Sequence, residues 1–147
     1  TKGSGVQYTL RPGPHRDDDS DTHAILVSGP NKSLLFLPDH DSWGETLGLY
    51  GAEEVRSWLL ELGVDIARID GTFWDEGELA GRGMTQIPHP TVSETLERIG
   101  KREEGDSEVI FIHLNQTNSL VDERSDQARG VGELGWGVAQ QSTVLEL

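Results

Sequence analysis

Apolar positions in this chain follow two periods that succeed one another along its length. From Val6 to Leu10 apolar and polar residues alternate, the period of a strand with one buried face. Residues Pro12 to Asp21 are proline, glycine and a run of aspartates, a composition that predicts a loop. Two further strands are predicted at His23 to Val27 and Leu34 to Leu37. The turn-forming string Ser28-Gly29-Pro30-Asn31-Lys32 lies between them, which makes a hairpin the natural connection. Pro38 ends the second of these strands and leaves Asp39-His40-Asp41 directly beyond it.

The period then lengthens. Between Ala52 and Leu62, Val55, Trp58, Leu59 and Leu62 fall on one face of a 3.6-residue repeat, and Gly63 is placed to close the helix in a left-handed conformation. Val64 to Ile69 reads as a short strand broken by Asp70-Gly71, followed by a glycine-rich loop that runs to Pro88-His89-Pro90. A second helix begins there, with Pro90 near its first turn and Val92, Leu96 and Ile99 on one face. Lys101 to Ser107 is a charged surface loop. Glu108 to Leu114 is next, a strand whose Val109-Ile110-Phe111-Ile112 run implies burial on both faces. A weaker helix is predicted near Glu123 to Glu133, then two short strands, the last over Ser142 to Leu147. The alternation of strand and helix gives the α/β class, with helices covering one side of a sheet.

Charge and composition narrow the partners. The 147 residues carry a formal charge of −14, which disfavours a nucleic-acid backbone or an anionic membrane as a partner reached by charge. An acidic surface otherwise means little more than solubility. No cysteine is present, so disulfides and thiolate metal sites are excluded. No apolar run approaches the roughly 18 residues that span a bilayer, and the expected location is the cytoplasm. The start, Thr1-Lys2-Gly3-Ser4-Gly5, reads as a cut inside a longer chain or as a linker remnant.

The polar residues at strand ends carry the candidate chemistry. Asp39, Asp70 and His113 each lie at or just past the carboxyl end of a predicted strand, where loops converge on a rigid support. His15 and His89 lie in loops able to reach the same edge. Histidines with carboxylates and no thiolate form a borderline-to-hard donor set suited to Zn(II), Fe(II) or Mn(II). Plainer readings stand beside this one. His23 reads as a solvated surface histidine and His40 as a loop residue. Asp41 reads as a turn cap, Asp70-Gly71 as a common turn, and Pro88-His89-Pro90 as a rigid entry to a helix.

Taken in order, three strings resemble the later metal motifs of the metallo-β-lactamase fold. Pro14-His15-Arg16, followed by Ser20-Asp21-Thr22 and a strand, resembles the third. Leu35-Phe36-Leu37-Pro38-Asp39 resembles the fourth, and Phe111-Ile112-His113-Leu114-Asn115 the fifth. Asp70-Gly71-Thr72-Phe73 with the later His89 is similar to the ribonuclease Z type branch. Asp70-Gly71-Thr72-Phe73-Trp74 with Glu78-Leu79, and His113-Leu114-Asn115-Gln116-Thr117-Asn118, resemble the pyrroloquinoline quinone biosynthesis protein B group.

The resemblance implies the C-terminal half of a metallo-β-lactamase-type αβ/βα sandwich. Residues 1–147 would then be a partial domain, because the His-x-His-x-Asp-His signature of the N-terminal half is absent. It further implies that His15, Asp39 and His113 ligate a divalent metal, Zn(II) first, with Fe(II) or Mn(II) as alternatives. Asp70 and His89 become an outer acid–base or orienting pair, and Asn115 and Asn118 shape a substrate pocket. The function implied is a metal-dependent hydrolase acting on a small-molecule or ester-type substrate, active once the missing half is supplied. Iron-dependent oxidation in quinone cofactor biosynthesis is the alternative chemistry. A non-catalytic half-domain, kept as an interaction or scaffold module, is the alternative class. A half sandwich also leaves one sheet face bare, so an N-terminal half or a second copy is expected to cover it.

Overall fold

The computed structural model describes residues 5–13, 22–80 and 89–147, and in it six strands form one sheet in the order β1-β2-β3-β4-β5-β6. These are β1 (Gln7–Gly13), β2 (Thr22–Ser28), β3 (Ser33–Leu37), β4 (Ile66–Asp70), β5 (Glu108–Ile112) and β6 (Gly137–Val138). β1, β2 and β3 pair antiparallel, and β3 to β6 pair parallel. The change of sense reflects the connections. The short Gly29-Pro30 turn can only reverse the chain, whereas the helical crossovers after β3 and β4 return it in the same direction. The parallel strands therefore all end at one edge, and that edge carries Asp39, Asp70 and His113.

Among the described residues five α-helices accompany the sheet: α1 (Trp43–Tyr50), α2 (Val55–Leu62), α3 (Glu76–Ala80), α4 (Val92–Ile99) and α5 (Asp126–Glu133). The pattern does not predict α1, because Gly44 and Gly48 dilute its periodicity. Its signature is local: the Ser42 hydroxyl accepts the Glu45 N–H as an N-cap and donates to the Glu45 carboxylate, and Gly51 closes the helix in the left-handed region at φ 66°. α2 begins at Val55, three residues later than the pattern places it, while Gly63 does cap it at φ 64°. Pro90 lies just before α4, next to the N-cap Thr91, whose hydroxyl accepts the Glu94 N–H. Short α3 interrupts the stretch read as continuous loop.

The two faces of the sheet differ. On one, the rows Leu35–Ala67–Val109 and Leu37–Ile69–Phe111 pack into a core with Trp43, Leu47, Trp58 and Ile99 from the helices. Trp43 is fully buried and its indole N–H donates to the Thr95 hydroxyl at 2.8 Å, so its polar atom is satisfied. On the other face a row runs Leu10–Ile25–Phe36–Arg68–Ile110, with Tyr8–Val27–Leu34 beside it. Tyr8 and Leu10 are 74% and 55% exposed, and Ile25, Phe36 and Ile110 are half-buried. The expected bare face is present.

The terminal strand predicted over Ser142–Leu147 does not form. β6 is two residues long, after which Thr143 bonds back to the Gln140 carbonyl and Ser142 adopts φ 64°, a turn that breaks strand geometry. Leu147 instead lies against Gly29, where a side chain would collide with it. Among the described residues no helix is long and apolar enough to cross a membrane.

Candidate functional site

The exit of β3 builds one side of the site. Pro38 cannot extend the ladder, and Asp39 turns the chain through φ 55°, a left-handed conformation that Asp tolerates better than most L residues. Its side chain stays 47% exposed at the sheet edge. The next residue turns inward. His40, read as a loop residue, is completely buried, because α1 starts three residues later and folds over it. Its Nδ1 lies 2.9 Å from the Thr46 hydroxyl and its ring meets Trp43 edge-on at 4.6 Å. Burial pushes its pKa down to about 4, with the Asp70 charge opposing, so the ring is neutral at ordinary pH. Its Nε2 has no hydrogen-bond partner among the described residues.

The exit of β4 builds the floor. Asp70 is the last residue of β4 and its side chain is fully buried. One carboxylate oxygen, Oδ1, accepts the Thr72 backbone N–H at 2.7 Å and the Thr72 hydroxyl at 2.5 Å. The other, Oδ2, lies 2.7 Å from His89 Nδ1. Burial raises the Asp70 carboxyl, but the His113 and His89 imidazoles and the Thr72 hydroxyl outweigh it and hold the group well below the usual carboxylate range. Gly71 is required by close approach. A Cβ there would meet the Ile112 carbonyl, the Leu114 side chain and Phe111 Cβ at 3.0 Å each.

His89 and His113 complete the arrangement. His89 Nε2 faces Asp39 Oδ1 at 3.6 Å, and the ring packs edge-on against Phe73. His113 comes just after β5 in a left-handed conformation, φ 61°. Its Nδ1 is 3.0 Å from the Thr72 hydroxyl and 4.0 Å from Asp70 Oδ1, so the hydroxyl makes the short contact. Both imidazoles titrate above the ordinary histidine value. For His89 burial works against this, and the Asp70 bond and charge, with Asp39, prevail. For His113 the Asp70 carboxylate leads, again against burial.

Donor atoms of Asp39, Asp70 and His89 lie within 4.8 Å of one another, and His113 adjoins them through Thr72. Two carboxylates and two imidazoles without a thiolate fit a borderline or hard divalent cation. His15 lies outside the described residues. Asn115 is half-buried and held by its backbone N–H to the Thr72 carbonyl at 3.0 Å. Asn118 is buried behind the site rather than lining an open pocket. Its amide donates to the Gly71 carbonyl at 2.7 Å and its oxygen accepts the Leu120 N–H, which staples the β4 exit to the β5 exit. His23 is exposed near the start of β2, which the antiparallel register with β3 places beside the β3 exit.

Of the residues packed around the site, Thr72 is given no role by the sequence and His40 reads there only as a loop residue. Thr72 carried a usable signal, since an Asp with a hydroxyl residue two positions later at a strand end forms an Asx-turn. His40 carried none, because only the position of α1 buries it.

No protein-family model matches the chain. Among curated proteins, it is similar to coenzyme PQQ synthesis protein B of Gluconobacter oxydans, 22% identical over an alignment that covers 99% of this chain and 45% of the relative. The same protein of Pseudomonas fluorescens Pf0-1 is 28% identical, over 78% of this chain and 38% of the relative. That of Azoarcus sp. BH72 is 29% identical, over 66% and 34%. Zinc-bound PqqB from Methylobacterium extorquens superimposes with a TM-score of 0.60 at 21% identity, covering 97% of this chain and 51% of that one. The chain thus has the fold of about half of that protein, a metallo-β-lactamase-type α/β arrangement. It spans less than half the length of these curated relatives.

Proposed function

We propose that this chain supplies one side of a divalent-metal centre of the metallo-β-lactamase type, with hydrolase-type chemistry. Asp39 and His113, together with His15, would hold the cation, and His89 backed by Asp70 would handle a proton beside it. The observation that carries this reading is the convergence of Asp39, Asp70 and His89 donor atoms within 4.8 Å at the carboxyl edge of parallel strands. A bound cation would supply Lewis-acid polarisation of a substrate oxygen.

The residues of the chain have separable parts in this. Asp39 has a side chain nearly half exposed, open to approach by a cation. Asp70 has hydrogen bonds on both oxygens and is fully buried, so it acts by orienting. It holds His89 through Nδ1 and turns Nε2 toward the site, and the raised pKa keeps a proton available there for a leaving group. The remaining donors come from a half of the sandwich that also covers the Phe36 and Leu34 face. Zn(II) is the first choice of metal, in keeping with the zinc-bound neighbour, and Fe(II) or Mn(II) suit the same donors.

A second reading has support of its own. The curated relatives share the name coenzyme PQQ synthesis protein B, which favours a part in quinone cofactor biosynthesis, with iron-dependent oxidation as the chemistry. Metal titration of the full chain tests the common core of both. Zn(II) and Fe(II) should bind saturably by calorimetry, and Asp39→Ala should weaken binding at least about tenfold. Binding indifferent to Asp39 would exclude a metal centre built on these residues. Which metal binds more tightly separates the hydrolytic from the oxidative reading.

A further inference from the structure

We propose that Thr72 is a positioning residue that fixes the tautomer of His113, so that a single buried carboxylate, Asp70, orients both histidines of the site. The inference rests on the reading of His113 as a metal ligand, and its ground is a count of protons. Asp70 is held as a carboxylate and is acceptor-only. Its Oδ1 lies 2.5 Å from the Thr72 hydroxyl, which can reach it only by donating its one proton. The hydroxyl oxygen is then left with lone pairs alone, and His113 Nδ1 lies 3.0 Å from it. Two acceptors cannot share a contact of that length, so the Nδ1 of His113 bears the hydrogen. In the neutral ring the lone pair is consequently on Nε2.

The same carboxylate treats His89 directly. Oδ2 is 2.7 Å from His89 Nδ1, which must also be the N–H. One oxygen of Asp70 thus sets His89 by contact, and the other sets His113 through an interposed hydroxyl. The interposition is geometric in origin. His113 Nδ1 stands 4.0 Å from Asp70 Oδ1, too far for a hydrogen bond, and the Thr72 side chain spans that gap. Thr72 is itself pinned, because its backbone N–H donates to the same Oδ1 at 2.7 Å and its carbonyl accepts the Asn115 N–H at 3.0 Å. The relay is built from the Asp-Gly-Thr turn and requires no extra element.

Long-range proton–nitrogen correlation spectra of the full, metal-free chain, recorded above both imidazole titrations, read the tautomer. Wild type should show His113 with hydrogen on Nδ1. A wild-type spectrum with the hydrogen on Nε2 overturns the proposal whatever any variant does. Thr72→Val should lose the preference and bind Zn(II) about 10- to 100-fold more weakly, and Thr72→Ser should restore both. Thr72→Val with wild-type tautomer and wild-type affinity also overturns it. The spectra need no metal, so a chain with the stated tautomer and zinc binding indifferent to Asp39 supports the relay and refutes the metal centre instead.

Discussion

The exits of β3 and β4 both end in an aspartate at the same sheet edge, and the two carboxylates have opposite environments. After β3, Asp39 sits in a left-handed turn, nearly half exposed, with His89 Nε2 3.6 Å away. After β4, Asp70 is fully buried, with both oxygens bonded. The difference originates in the segment beyond each strand. Behind β3 the chain enters α1 within a few residues, so the inward position falls to His40 and Asp39 is left outside. Behind β4 an Asx-turn folds Thr72 back over its own carboxylate. A residue type shared by two strand ends therefore yields an available ligand at one and an internal support at the other.

The largest test of that contrast is truncation of the support. Asp70→Ala leaves the Thr72 N–H and His89 Nδ1 unpaired in a buried setting and should cost about 3–5 kcal/mol in urea denaturation. A loss below about 1 kcal/mol would erase the distinction between the two exits.

His40 sharpens the same contrast through pH. It is neutral when folded, with a pKa of about 4 against 6.5 unfolded, so its stabilising contribution is complete above 6.5 and drains away as pH falls toward 4. The full loss is about 3 kcal/mol. In the middle of that window, at about pH 5 to 6, His89 and His113, whose pKa values are raised, are mostly charged in both states, and Asp70, whose pKa is lowered, is ionised in both. The slope should therefore belong to His40 and flatten in a folded His40→Gln variant. An unchanged slope in that variant would assign the acid limb to other groups.

Asn118→Ala comes next. It strands the Gly71 carbonyl and the Leu120 N–H, and unfolding measurements should show a loss of about 2 kcal/mol. The smallest change is expected at Asp39. Asp39→Asn should move stability by less than about 0.5 kcal/mol while weakening Zn(II) about tenfold or more in a calorimetric titration. A stability loss there as large as at Asp70 would show that both carboxylates are structural.

Much of the fold was legible because its signals are local. Alternation marked β1, turn residues bounded β2, the Val55-Trp58-Leu59-Leu62 stripe marked α2, and Gly63 marked its end. α1 escaped because its two glycines blur the period and only the Ser42 N-cap remains. The tail escaped because Val144 and Leu145 have strand-like composition but no neighbouring strand to pair with among the described residues, and pairing is not a local property.

The sequence by itself determined that Asp39, Asp70 and His113 lie at strand ends and that His89 enters a helix, since Pro38, Gly71 and the turn residues punctuate the chain there. It also determined the parallel crossovers that bring those ends to one edge. Only the tertiary structure decided which of these groups is buried. Burial of Asp70 and His40 depends on α1, Asn118 and the β5 exit packing around them, segments that lie far apart along the chain. A buried ionisable group takes its charge and its tautomer from the neighbours it meets, and those neighbours exist only once the chain has folded.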